Sequence, residues 1–237
     1  MENLKKFFNE IPPFTRYFVT STFMLSLFMT YHLISPISLV LDYTKVFKNL
    51  QIWRLLTTFL FAGPFGPSFL FKMMMCYFTA KRVDEWFKTK HDEMLTLLLF
   101  CAAVIMAYSL VYGEYMVLHN SFLFSLMYVC CKLDPDSQVS IWGFPVTSAN
   151  LPWVLLLLDV VQMGDIVSDL IGIAAGHTYI YVKTVLPNSH GYRVLNKLHP
   201  QAQRLINLFN HYFGSQPQRA NVWGAGGTRV NVGGDDQ

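Results

Sequence analysis

The chain is poor in charge. Of 237 residues, 18 are Lys or Arg and 15 are Asp or Glu, so 14% are charged, against roughly 25% in a soluble domain. It has four cysteines, and no Asn-x-Ser/Thr acceptor for N-glycosylation. With a hydrophobic content of 53%, this composition excludes a disordered chain, a coiled coil and a collagen-like repeat, and speaks against an ordinary water-soluble domain. Cys76, Cys101, Cys130 and Cys131 fall in apolar stretches or at their ends and suggest no disulfide framework. The Cys130–Cys131 pair reads as inert membrane cysteine in preference to a palmitoylation site. No phosphate-binding loop, zinc-ligand spacing or dinucleotide fingerprint occurs. The net charge of +3 is not gathered into a nucleic-acid patch, so no nucleic acid, cofactor or metal is expected.

What is present is a set of long gaps between charges. Tyr17 to Leu41 is uncharged for 25 residues, and Met94 to Gly113 for 20. A spanning helix needs about 20 mainly apolar residues. The gaps predict six spans, near 17–35, 57–79, 94–112, 115–131, 151–165 and 167–186. Lys72 is the charge inside the second. The basic residues are sided: fourteen Lys or Arg fall on the side holding both termini, and three (Lys45, Lys48 and Arg54) on the other. The excess of Lys and Arg marks the cytosolic face. Both termini are therefore expected in the cytosol. The first apolar stretch is long, with no small-residue cleavage site after it, and is expected to remain as a span.

Between the first two spans, Leu39, Tyr43, Val46, Phe47 and Leu50 recur at helical spacing among Asp42, Lys45 and Lys48. This predicts one amphipathic helix lying in the interface. Trp53 and Arg54 follow, an aromatic suited to headgroup depth and a cation able to snorkel to phosphates. In the sixth span Gly172 and Gly176 are four apart, on one helical face, with His177 next. That spacing permits close helix packing. Ser121 in the fourth span and His177 in the sixth could form a nucleophile and base. Ser121 is flanked by Asn120 and Phe122, without the glycines that usually help aim oxyanion donors, so no catalytic residue is assigned. Asp159, Asp165 and Asp169 cluster about the turn between the fifth and sixth spans and read as exposed helix ends.

After the spans, residues 188–213 keep an apolar stripe suited to a juxtamembrane amphipathic helix, and 214–237 turn to Gly, Gln, Asn and Arg. Trp223, Gly227 and Val230 stand in that tail, in a pattern suited to docking on a partner's surface.

Several motifs coincide. They are Trp53-Arg54, the run Leu60-Phe-Ala-Gly-Pro-Phe-Gly-Pro67, Leu151-Pro-Trp153 and Gly172-xxx-Gly176-His177. Over residues 1–187 and the last fifteen, the chain resembles the Derlin family of rhomboid-like pseudoproteases. The tail is similar to that family's SHP box (aromatic-x-Gly-x-Gly-x-x-Leu), with Ala225 in place of the first Gly and Val230 in place of Leu. The resemblance implies an all-α membrane protein of six transmembrane helices with a rhomboid-like fold, over residues 1–187, in the endoplasmic reticulum membrane. It implies a non-enzymatic role in retrotranslocation of misfolded proteins for degradation. The implied partners are those misfolded substrates, a membrane-embedded ubiquitin ligase complex, the valosin-containing AAA ATPase at the tail, membrane lipids, and further copies or relatives of the chain. The rhomboid Gly-x-Ser-Gly is missing; His119-Asn120-Ser121-Phe122 stands at its place.

Overall fold

The structure, a computed structural model, describes residues 11–112, 117–141, 143–186, 200 and 204. The expected amphipathic helix over 188–213 and the expected docking tail, Trp223, Gly227 and Val230 included, lie outside the described residues, apart from Pro200 and Arg204.

Helix α1 (Pro13–Thr30) begins at Pro13, whose missing N–H costs nothing in a first turn. Two short helices follow, α2 (Pro36–Leu39) and α3 (Tyr43–Asn49). The single amphipathic helix expected at 39–50 is thus two, because Val40 is extended and Asp42 caps a new start, accepting from the Lys45 N–H at 3.2 Å. Leu39 and Val46 face inward, while Phe47 and Leu50 are exposed.

The expected second span is interrupted. Helix α4 (Trp53–Leu60) stops at the Phe-Ala-Gly-Pro segment, where Gly63 takes φ +105° and Pro64 cannot donate. Helix α5 (Pro67–Trp86) then runs beyond the expected end at 79. Helix α6 (His91–Tyr112) is, among the described residues, the one helix long and apolar enough by itself to cross a bilayer, over His91–Val111. Helix α7 (His119–Leu133) is the centre of the bundle. His119 and every residue from Ser121 to Cys131 are buried in it. A two-stranded antiparallel hairpin follows, β1 (Gln138–Ile141) with β2 (Phe144–Thr147), turning at Gly143 with φ +87°. This hairpin departs from the all-α expectation, and the fold is otherwise helical. Helix α8 (Leu151–Val161) ends four residues before the predicted 165, and α9 (Ile166–Ile180) passes into a π-helical turn over Tyr181–Val185.

α7 packs against α5, α6 and most extensively α9, while α1 packs on α5. At one end the buried Asp84 of α5 accepts from the Thr15 backbone N–H at 2.7 Å and from its hydroxyl. A carboxylate on the first turn of a helix satisfies an orphan donor and complements the dipole. At the opposite end, the Leu118 N–H donates to Thr58 Oγ1 and His119 Nδ1 lies 2.7 Å from the Phe59 carbonyl, so α4 closes over the start of α7. The outer surface carries exposed Leu33, Leu56, Leu70, Val111, Leu157 and Val161. So many large exposed apolar side chains are a surface made for lipid or protein, not for water.

Candidate functional site

Three places gather the residues that could carry function: the α7–α9 seam, the first loop, and a crevice between α5 and α8.

The seam is closed by glycine. A Cβ on Gly172 would overlap the Ser121 carbonyl, and one on Gly176 would sit 2.8 Å from the Ser125 carbonyl and 3.1 Å from the Tyr128 ring. Backbone thus meets backbone, which only a residue without a side chain permits. Ser121, fully buried, donates 2.6 Å to the Ser168 carbonyl and lies 2.9 Å from the Ser168 hydroxyl. His177 is exposed, and its Nδ1 is 3.0 Å from the Tyr128 hydroxyl. The His177 contact on α7 therefore lies seven residues beyond Ser121, about 10 Å along the helix. The structure does not bring Ser121 and His177 together as nucleophile and base, since a general base must reach its proton at hydrogen-bond distance.

In the first loop, Trp53 is 57% exposed. Arg54 is not the snorkelling cation its neighbourhood suggests. It is buried, with Nη1 donating to the carbonyls of Ile37 and Val40 and Nε to Gln51 Oε1 at 2.6 Å. The carbonyls at the end of α2 are orphan acceptors, and a guanidinium with five donors answers them. Asp42 sits in the same loop. Partial desolvation raises its carboxyl, but the Lys45 backbone N–H, the Lys45 side chain and the Thr44 N–H outweigh that and hold it below the usual carboxylate range. The Tyr43 hydroxyl donates to the Met106 carbonyl at 2.7 Å and pins the loop to α6.

The acids of the α8–α9 turn correct the expectation of exposed helix ends. Asp159 and Asp169 are buried, and Asp165 alone caps α9, accepting from the Val167 N–H at 3.1 Å. Lys72 is within electrostatic reach of Asp169, as are Asp159 and Asp165. Asp159 lies on the buried face of α8 with Leu151 and Leu155, and Gly164 leaves room for its carboxylate, which a Cβ there would overlap. His119 is fully buried as well. A polar interior of this kind is rare in a bundle unless it serves a pathway or a packing network.

The crevice was not foreseen. It opens between α5 and α8, with α7 as its floor and the hairpin as its roof, and its walls carry Lys81, Arg82, Glu85, Met74 and Leu155. Arg82 Nη2 donates to Ser137 Oγ at 2.9 Å and to the Ser148 hydroxyl, fastening both ends of the hairpin to α5. The cluster Lys81-Arg82-Val83-Asp84-Glu85-Trp86 is the signal in the sequence that points to it. The four cysteines are buried and free.

The pattern of the Der1-like family matches residues 11–199. The chain is 30% identical to the probable derlin-1 homolog of Dictyostelium discoideum, over 89% of this chain and 86% of that one. It is 30% identical to Derlin-2.2 of Zea mays, over 99% and 98%. With Derlin-2.2 of Arabidopsis thaliana it shares 31% identity, over 81% of this chain and 84% of the plant protein.

Proposed function

The chain belongs to the Der1-like family, a membrane family, and on that premise we propose that it is a non-enzymatic subunit of the machinery that retrotranslocates misfolded lumenal and membrane proteins. In this reading it sits in the endoplasmic reticulum membrane with six spans in a rhomboid-like arrangement and both termini in the cytosol. Clients leave for ubiquitin–proteasome degradation. A membrane ubiquitin ligase receives them, and the valosin-containing AAA ATPase, docked through Trp223, Gly227 and Val230, pulls.

The shortness of the inner helices carries this reading. Helix α8 has 11 residues and α7 has 15, so at 1.5 Å per residue they are about 16 and 22 Å long. The hydrocarbon core is about 30 Å thick. A bundle with such helices thins the bilayer around it, at a fraction of a kcal/mol per Å. Thinning and a polar interior holding Asp159, Asp169 and His119 both lower the cost of passing unsatisfied backbone, several kcal/mol per group in lipid. The Gly172/Gly176 seam keeps the short α7 against α9, and Trp53 anchors the first loop at the lumenal leaflet. The separation of Ser121 from His177 disfavours intramembrane proteolysis.

One degradation assay tests the reading. In cells expressing a misfolded lumenal client, Ser121→Ala and His177→Ala are expected to leave its half-life unchanged, and Gly176→Leu to lengthen it. Slower client loss in Ser121→Ala, with a cleavage product disappearing, would sink the non-enzymatic reading. Undiminished capture of the ATPase after deleting Asn221–Gln237 would remove the tail from it.

A further inference from the structure

Two adjoining cavities occupy the α5–α8 crevice, and they differ in polarity. The outer one, about 410 Å³, is lined by Lys81, Arg82, Glu85, Trp86 and Asp134 among others. The inner one, about 90 Å³, is walled by Phe71, Met74, Met75 and Leu155, with little polar surface. They share Phe78, Met127, Val139 and Leu151, so one runs into the other. A charged mouth continues into an apolar slot.

The mouth carries both signs. Lys81 and Glu85 form a loose pair at 3.7 Å, with side chains 44% and 62% exposed, so each can turn to another partner at little loss. Arg82 is held in place by Ser137 and Ser148. Trp86 is 45% exposed beside them, and an indole face attracts a quaternary or primary ammonium. A purely anionic group would meet Glu85 and Asp134 as well as the two cations, whereas a group carrying phosphate and ammonium together satisfies both signs. The slot excludes two other occupants. A soluble phosphate compound leaves it unfilled, and a helix, about 10 Å across, is too wide for it. The slot, about 90 Å³, takes a short stretch of one acyl chain, and the adaptable Met side chains suit it.

We propose that this crevice is a binding site for one zwitterionic glycerophospholipid, its phosphate against Lys81 and Arg82, its ammonium toward Glu85, Asp134 and Trp86, and one acyl chain between α5 and α8. The site rests on the membrane placement above: the Trp86 end of α5 lies at the cytosolic surface, at headgroup depth. The bound lipid fills the gap between α5 and α8 and holds the crevice apart.

The test uses the purified full chain in nanodiscs doped with phosphatidylcholine carrying a diazirine in its acyl chain. Irradiation followed by peptide mapping is expected to label Met74, Met75 and Met127. The same diazirine chain on diacylglycerol or phosphatidylglycerol is expected to label them less. Lys81→Glu should cut the phosphatidylcholine label by roughly fivefold, the upper range for an exposed charge contact, and the swap Lys81→Glu with Glu85→Lys should restore it. Leu155→Trp, which fills the slot, should abolish it in protein that still elutes as a folded species. Equal labelling by diacylglycerol, or labelling indifferent to both Lys81→Glu and Leu155→Trp, overturns the proposal. Displacement of the label by free phosphocholine alone would overturn the lipid in favour of a soluble ligand. Labelled protein that fails to restore client degradation counts against retrotranslocation and leaves the site standing. Protein that degrades clients without headgroup-dependent label counts against the site alone.

Discussion

The α7–α9 seam and the α5–α8 crevice lie on two sides of the same central helix and are built by opposite means. In the seam, Gly172 and Gly176 remove side chains so that α9 rests on the carbonyls of Ser121 and Ser125. In the crevice, Met74, Met75, Phe78 and Leu155 stand between the helices and leave cavities of about 410 and 90 Å³. Interiors pack near crystal density, and a dry void forfeits dispersion contacts along its walls. The difference teaches where the bundle can yield. The seam fixes α7 and α9 as one block, and the crevice joins α8 to α5 through long side chains and a hairpin.

The comparison breaks most severely at the seam. Gly172→Leu sets a side chain against the Ser121 backbone, which cannot retreat without moving α7, and is expected to destabilise the bundle by about 3 kcal/mol. Thermal unfolding in detergent reads it out, and an unchanged midpoint would show that the seam is not a rigid contact. A smaller effect is expected on the crevice side. Arg82→Ala frees the hairpin from Ser137 and Ser148 and should cost about 1–2 kcal/mol. Faster hydrogen exchange over 138–148, with α7 still protected, would separate crevice from seam. Loss of protection in α7 as well would mean that the two regions are one unit.

The smallest effect lies in the first loop, away from both. The Asp42 carboxyl is held below its ordinary range in the folded chain. Its contribution is therefore complete above the ordinary carboxylate range and fades as pH falls through the depressed folded value. Protection of the Lys45 amide, taken relative to its intrinsic exchange rate at each pH, should fall at acid pH, and Asp42→Asn should flatten that dependence while the seam is unmoved. The same acid response in Asp42→Asn would assign it to another group.

Much of this was legible in the chain. The charge gaps located α1, α6, α7 and α9 within a few residues, since a long apolar run has few other solutions. The Trp53–Arg54 pair marked the start of α4. Where the reading slipped, a local turn, a helical face or a contact distant in sequence had taken over. Span two broke at Gly63 because Pro64 and the turn around it outweighed hydropathy. Arg54 turned inward to carbonyls fourteen and seventeen residues away, and no spacing rule reports that choice. Asp159 lies inside because it shares the inward face of α8 with Leu151 and Leu155, with room left by Gly164. The hairpin over 138–147 was hidden in a segment whose low charge resembled the beginning of span five.

Sequence by itself determined that this chain is apolar and helical, because hydropathy and glycine spacing are properties of short stretches. It also determined the family, whose pattern runs over residues 11–199. The tertiary structure alone decided that Ser121 faces Ser168 while His177 faces Tyr128, that Arg54 clamps a loop, and that Lys81 and Arg82 stand at the mouth of an apolar slot. Each of these depends on which helix lies beside which, and on where a polar group, once desolvated, finds the partner it cannot do without.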